Sequence, residues 1–471
     1  MIKKCQVFTP AQNVNELLDS VGYSSNLSGK KVIENACGDG SILTEIVRRY
    51  IIDALTQNKN IDEIRQGLQS DVYGTEIDEL HYKNCIKNLS YVAESFNIPE
   101  VKWNIFNGDF LKQNYVNMFD FVIGNPPYIT YRDLDDETRN FLRDNYASCR
   151  HGKFDYCYAF IEASIICLKQ TGKMAYLIPS SIFKNVFAQE LREIILPSTV
   201  KVIDYTTHKL FDKKLTSSAI LVCHCGEAIL NIVYKDVANN RECQISKNSL
   251  EGKWVFSNFT QNSKSNKRFG DYFTAAISIA TLFNEAYILK DFTEENDYIV
   301  VDEYKIEKEL IRIGASPRSL NYNKDERILF PYKYVNNKLI RYTQKEFEER
   351  FPEATRYLRS YAKKLSARKS DNGCEWFEYG RSQALAHLNQ PKLLLSTVVT
   401  KEVKVYELAK ECIPYSGIYI VPKGNISLNK AKEVLESDDF YLYVKGIGIN
   451  ASGSSLRITA VDINDYVLNV L

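Results

Sequence analysis

Residues 30–55 read KKVIENACGDGSILTEIVRRYIIDAL, and a change of period inside them sets the fold class. Val32 and Ile33 form a short apolar run that stops at Glu34, and a glycine-bearing turn, NACGDG, follows. From Ser41 the apolar residues recur at helical spacing, so that Ile42, Leu43, Ile46, Val47, Tyr50 and Ile51 share one face. The same alternation continues downstream. DVYGTEID (71–78) reads as a strand and ELHYKNCIKNLSYVAESF (79–96) as a helix. VKWNIFNGDFL (101–111) and FDFVIGNPPY (119–128) read as strands, DYCYAFIEASIICLK (155–169) as a helix, and GKMAYLIPSS (172–181) as a strand. Strands alternating with helices predict an α/β fold, a doubly wound and mostly parallel sheet covered on both faces. Ligands of such sheets sit at the carboxyl ends of the strands. The clusters NACGDG, TEID, NGDF and NPPY all fall at those ends.

Past about residue 245 the rhythm breaks. NSLEGKWVFSNFTQNSKSNKRFG (248–270) is polar and reads as a linker; beyond it lie short helices and strands with many tyrosines. Two domains are expected, 1–245 and 246–471, in keeping with a chain of 471 residues. Apolar content of 45% and charged content of 25% are ordinary for a soluble globular protein. MIKKCQVFTP lacks the apolar run of a signal peptide, and no segment approaches the length of a bilayer span. The eleven scattered cysteines then point to a reducing cytoplasm. Cys223, His224 and Cys225 lie in an apolar run with no second ligand pair, which argues against a metal site. Net charge is +1, but residues 311–430 hold 22 Lys/Arg against 12 Asp/Glu. The basic run YAKKLSARKS (361–370) is either a solvated face or a phosphate-facing surface.

Each strand-end cluster alone has an ordinary reading. Glycine turns close many α/β units, an acid after a strand caps the next helix, and Thr9-Pro10 is a common helix start. Together they describe a nucleoside site. Glycines let backbone approach a ligand at a helix N-terminus; an acid at Glu76 can accept from ribose hydroxyls; Asp109 can accept from an adenine amine. An NAD-type dinucleotide and S-adenosyl-L-methionine both fit. Glu76 lies farther from the glycines than the usual ~20 residues of the dinucleotide fingerprint, a gap attributed to the long helix and an insertion, TQNKNIDEIRQGLQSD (56–71).

The order FTP, NACGDG, TEID, NGDFL, GNPPY resembles the N6-adenine DNA methyltransferases of TaqI and Eco57I type, which carry cofactor motifs first and target recognition last. YCYAFIEASIICLKQTGKMAYLIPSSIF, HKLFDKKLTSSAILVC, EWFEYGRSQALAHLNQPKLLLS and ASGSSLRITAVDINDYVL are similar to later segments of that family. The family has proline after the first acid, where this chain has Asn35, a change in strand-end stiffness more than in ligand chemistry. The resemblance implies a Rossmann-like class I methyltransferase domain with a C-terminal mixed α/β target recognition domain. It implies S-adenosyl-L-methionine as cofactor, held by Thr9, Pro10, Glu34, Ala36, Gly38, Glu76, Ile77, Asp109, Phe110, Asn125 and Phe160. Asn125, Pro126, Pro127 and Tyr128 would be catalytic, with Tyr128 and Phe211 stacking on the target base.

The chemistry fits those residue types. An exocyclic adenine amine is a weak nucleophile, and acceptors on both its hydrogens stabilise the charge that develops as the methyl arrives. Asn125 offers a side-chain carbonyl and Pro126 a main-chain carbonyl; two prolines keep the loop rigid. Base flipping gives access to the amine in a duplex, and aromatic faces hold the flipped base. His151 and Lys153 follow the loop, either touching phosphate or solvated.

The resemblance further implies the modification enzyme of a restriction–modification system, a monomer on double-stranded DNA, with a separate cognate restriction endonuclease as partner. A fused nuclease upstream is not expected, since the motifs begin at residue 7. The alternatives are an NPPY methyltransferase acting on protein glutamine or RNA, and a non-enzymatic DNA-binding subunit. An NAD dehydrogenase lacks its catalytic His or Tyr-Lys pair.

Overall fold

The computed structural model describes residues 9–206, 217–256, 267–452 and 455–468, in two compact units, Met1–Asn258 and Phe259–Leu471.

Among the described residues of the first unit, nine strands form one sheet, β1 (Val32–Glu34), β2 (Val72–Glu76), β3 (Asn104–Asn107), β4 (Phe119–Gly124), β5 (Leu168–Pro179), β6 (Thr199–Asp204), β7 (Ser218–His224), β8 (Asn231–Asp236) and β9 (Arg241–Ser246). Their order is β3-β2-β1-β4-β5-β7-β6-β8-β9. β1 to β5 pair in parallel, and β7 runs antiparallel between β5 and β6. This is a doubly wound, Rossmann-like arrangement. Its helices are α1 (Ala11–Ser20), α2 (Ser41–Thr56), α3 (Ile61–Asp71), α4 (Glu79–Ser95), α5 (Asp136–Asn145), α6 (Cys157–Cys167) and α7 (Gln189–Ile195).

Period-2 alternation divides the strand side chains between two cores. Val32, Ile123, Ala175, Leu177 and Ile220 join the buried faces of α1, α2, α3 and α4. Their neighbours Ile33, Val122, Met174, Tyr176, Ile178 and Leu221 join α6 and α7. Residues 56–71, expected as an insertion, contain α3. Asn60 and Glu63 form a reciprocal capping box at its start, and Ile64 and Leu68 are buried on its inner face.

The expected linker is in part core. β9 pairs with β8 along its whole length, and the first unit runs to residue 258 rather than 245. Trp254 is fully buried, stacked on Phe183 at 5.7 Å between centroids, and its main-chain N–H donates to the Phe183 carbonyl at 2.8 Å. Phe256 stacks on Tyr234 at 4.5 Å.

The second unit is a mixed α/β body of small sheets and short helices. Phe273–Ile277, Ile418–Pro422, Lys392–Leu395 and Val405–Leu408 form one antiparallel sheet. Its core is rich in tyrosine, and several of the hydroxyls are satisfied by main chain, in keeping with the rule that buried polar groups are hydrogen-bonded. Tyr287 donates to the Phe377 carbonyl at 3.0 Å and Tyr379 to the Leu329 carbonyl at 2.7 Å. The glycine of FEYGR lies under Leu282: a Cβ on Gly380 would meet that side chain at 2.5 Å. The basic run 361–370 is not uniformly a free surface. Arg368 donates to the carbonyls of Leu365, Thr281 and Trp376, and Lys364 pairs with Glu285 at 3.4 Å, whereas Lys363 and Lys369 are exposed.

Trp254→Ala should lower the stability of the first unit by about 3–5 kcal/mol, the cost of truncating a buried aromatic. Denaturant unfolding followed by circular dichroism measures this. A change within ~0.5 kcal/mol would return 248–256 to the status of a linker.

Candidate active site

The strand order reverses at β1, whose neighbours β2 and β4 belong to opposite windings. In register, Glu34 lies opposite Gly74 and Ile33 opposite Val122, while Glu76 lies opposite Asn107. The structure therefore brings NGDF, TEID, NACGDG and NPPY into one row along the carboxyl ends of β3, β2, β1 and β4.

The β1–α2 loop needs its glycines. Gly40 has φ +87° at the N-cap of α2, and a Cβ there would meet Cys85 Sγ at 2.8 Å; Gly38 has φ +55°. The Gly38 N–H donates to Glu76 Oε2 at 2.8 Å, and the Asp78 N–H donates to Glu76 Oε1 at 2.8 Å. Each carboxylate oxygen keeps lone-pair capacity for a hydroxyl donor, so Glu76 is oriented without being used up. Glu34 is buried and accepts from the Leu43 N–H at 3.1 Å. Burial pushes its carboxyl well above the ordinary range. Ala36 is half-buried beside it. Ile77, by contrast, is 66% exposed, an apolar side chain left open next to Glu76.

Asp109 accepts from the Leu111 N–H at 3.0 Å and caps the turn Phe110–Lys112; burial raises its carboxyl. Phe110 and Phe160 are buried with ring centroids 5.6 Å apart. Tyr156, not singled out from the sequence, meets Phe160 edge-on at 5.3 Å.

At the end of β4, Asn125 is half-buried, and its Nδ2 donates to Thr9 Oγ1 at 3.3 Å. Thr9 is buried and Pro10 holds the N-cap position of α1. The predicted N-terminal motif thus meets NPPY. Pro126 is buried and Pro127 half-buried. The Tyr128 hydroxyl donates to the Leu177 carbonyl of β5 at 2.8 Å, which fixes the ring in a partly exposed position. The loop is then tied to the start of α6: the Tyr156 N–H donates to the Ile129 carbonyl at 2.9 Å, and Thr130 bridges Asp155. His151 and Lys153 are exposed, with His151 Nε2 3.8 Å from Glu190. Phe211 lies outside the described residues.

Asn35 does more than loosen a strand end. Its side chain is buried, donates through Nδ2 to Ser164 Oγ at 2.9 Å and accepts from the Tyr176 hydroxyl. Ser164 and Tyr176 were not singled out from the sequence. The available signal was α6 itself, where Glu162 and Ser164 are polar residues in an otherwise apolar run.

Residues 41–211 match the Eco57I restriction-modification methylase family. The type II restriction enzyme and methyltransferase RM.Eco57I of Escherichia coli is 25% identical over 500 residues, covering 84% of this chain and 49% of that protein. The type II methyltransferase M.BstVI of Geobacillus stearothermophilus is 23% identical, covering 96% of this chain and 88% of that protein. The chain is thus similar in sequence to TaqI/Eco57I-type DNA methyltransferases. It spans about half the length of the Eco57I protein. The likeness of fold extends beyond the matched segment. A solved structure of the type IIL restriction-modification enzyme MmeI in complex with DNA covers 97% of this chain and 67% of its own, with a TM-score of 0.63 at 12% identity.

Asp155 gives the site a pH signature. Burial raises its carboxyl from 3.8 to about 6. The native state therefore binds its proton more tightly than the unfolded chain, and stability falls as pH rises from about 4 to about 6. Asp155→Asn should stabilise the first unit by about 1–3 kcal/mol at pH 7, with the gain vanishing below about pH 4. Urea melts of both chains across pH 4–8 test this; a gain independent of pH would remove the carboxyl from the explanation.

Proposed function

We propose that the chain transfers a methyl group from S-adenosyl-L-methionine to the N6 amine of a flipped adenine in double-stranded DNA, as the modification enzyme of a restriction–modification system. The observation that carries this reading is the placement of NPPY at the switch point, one strand from the Glu34–Gly40 loop and two from Glu76. A cofactor with its ribose on Glu76 and its methionine end against Glu34, Ala36, Gly38 and Thr9 presents its methyl toward Asn125. Asp109, Ile77, Phe110 and Phe160 are the groups available to its adenine, the acid as acceptor and the apolar side chains as walls. Bound S-adenosyl-L-methionine supplies an electrophilic sulfonium methyl.

The protein's share is orientation and charge stabilisation. The target amine needs acceptors rather than a strong base, and Asn125 with the Pro126 main chain supplies them from a loop held at both ends. Tyr128, its hydroxyl committed to Leu177, offers a ring face whose position costs no further ordering, which suits stacking on an extruded purine. The second unit is the target recognition domain in this reading, and the catalytic unit is 1–258, with a separate endonuclease supplying cleavage.

The direct test is transfer of labelled methyl from S-adenosyl-L-methionine to duplex DNA, with the product identified as N6-methyladenine by nucleoside mass spectrometry. Label entering protein or RNA but never DNA would overturn the proposal. Asn125→Ala should lower the single-turnover rate by about 100-fold or more while calorimetry shows cofactor still bound; unchanged turnover would remove Asn125 from catalysis. Tyr128→Ala and Phe211→Ala should each alter the fluorescence of 2-aminopurine placed at the target adenine, and an unaltered signal in both variants would refute stacking.

A further inference from the structure

Asn35 stands where four elements of the site meet. Its main-chain carbonyl accepts from Thr75 Oγ1 at 2.7 Å, and Thr75 precedes Glu76. The Cys37 N–H donates to the Thr75 carbonyl at 2.9 Å, so the glycine loop and the end of β2 are joined on that side. On the other side its amide donates to Ser164 Oγ at 2.9 Å, and Ser164 donates onward to the Phe160 carbonyl at 2.6 Å. The Tyr176 hydroxyl donates to Asn35 Oδ1 and lies 2.7 Å from Ser164 Oγ. All three side chains are buried.

This network touches NPPY through Gly124. Gly124, the residue before Asn125, pairs in register with Tyr176, and a Cβ built on it would lie 3.4 Å from the Tyr176 ring and 3.8 Å from Asn35 Oδ1. Tyr176 also precedes Leu177, whose carbonyl holds Tyr128. The network therefore bonds Thr75 and Phe160 directly and lies one residue along the chain from Glu76, from Asn125 and from the Leu177 carbonyl that holds Tyr128.

We propose that Asn35, Ser164 and Tyr176 are positioning residues that set the spacing between the cofactor cradle and the NPPY loop. The proposal rests on the methyltransferase reading of the site. A buried amide has fixed donor and acceptor directions, and leaving one unmade is costly. The network is satisfied only when β1, β5 and α6 hold one mutual placement, and that placement is the one that puts Asn125 beside the cradle. Its effect falls on the in-line geometry of transfer, where small displacements cost much of the rate.

The experiment measures kcat for labelled methyl transfer to DNA at saturating S-adenosyl-L-methionine, cofactor Kd by calorimetry and Tm for the full chain, for Asn35→Ala, Tyr176→Phe, Ser164→Ala and the Asn35→Ala/Tyr176→Phe double variant. Tyr176→Phe keeps the ring against Gly124 and removes only the hydroxyl. Its expected effect is a kcat loss of about 10- to 100-fold with cofactor Kd little changed, and a double variant no slower than the slower single one, as groups acting through one network behave. A kcat at the wild-type level with only Tm lowered, or losses that multiply in the double variant, would overturn the proposal. Should Asn35→Ala fail to fold, Tyr176→Phe and Ser164→Ala decide it alone. A wild-type chain with no transfer to DNA would overturn the proposed function and this inference with it; an active wild type matched by its variants would overturn this inference alone.

Discussion

β1 is three residues long and is hydrogen-bonded in parallel on both edges, to β2 on one side and β4 on the other. That double pairing is the constraint on which the site depends. Parallel neighbours need crossovers, and right-handed crossovers leaving a central strand in opposite directions place their helices on opposite faces. Between the two windings the carboxyl ends stay uncovered. Val32 and Ile33 contribute to different cores, one under α2 and α4 and one under α6. A shift of β1 by one residue would exchange those faces and move Glu34 off the loop it anchors.

With the strand ends fixed, the polar groups there are arranged by the main chain before any ligand arrives. Glu76 is gripped by two N–H groups, Glu34 by one, Asp109 by one, and Tyr128 by the Leu177 carbonyl. Such contacts cost little conformational freedom on binding, because it was surrendered on folding. The same economy explains the two uses of burial. It raises Glu34 and Asp109 while leaving Ile77 open; under the proposed function the acids are desolvated where a polar ligand would replace water, and the apolar side chain is left for a ring.

What could be read from the sequence was whatever its own neighbourhood determines. The βα alternation, the four strand ends and the glycine turn depend on periods and on residues a few positions apart, and each stands where the pattern places it. Three features were not legible, two of them because they depend on distant partners. Trp254 and Phe256 are two aromatics in a polar stretch, and only Phe183 and Tyr234 make them core. Helix α3 was passed over as an insertion because its apolar positions are sparse. Asn35 was read by what it lacks, a proline ring, whereas its role in the structure comes from Ser164 and Tyr176, more than a hundred residues away. Arg368 shows the converse error: a cation counted toward a basic surface is spent on three carbonyls of its own unit.

The two polar residues of α6 complete the argument about rigidity. The helix is apolar nearly all round, and burial of a polar side chain within it carries a penalty unless every partner is present. Glu162 accepts from the N–H groups of Ala147 and Ser148, and Ser164 bonds Asn35 and Tyr176. One face of the helix is thus tied to the segment after α5, the other to β1 and β5, while its first turn is bonded to Ile129 just beyond NPPY. Removing any one bond strands a buried donor or acceptor, so the attachments hold or fail together. In the proposed reaction, a loop that presents acceptors to a developing positive charge would gain from that cooperativity, since its acceptors could not relax away from the position in which they are needed.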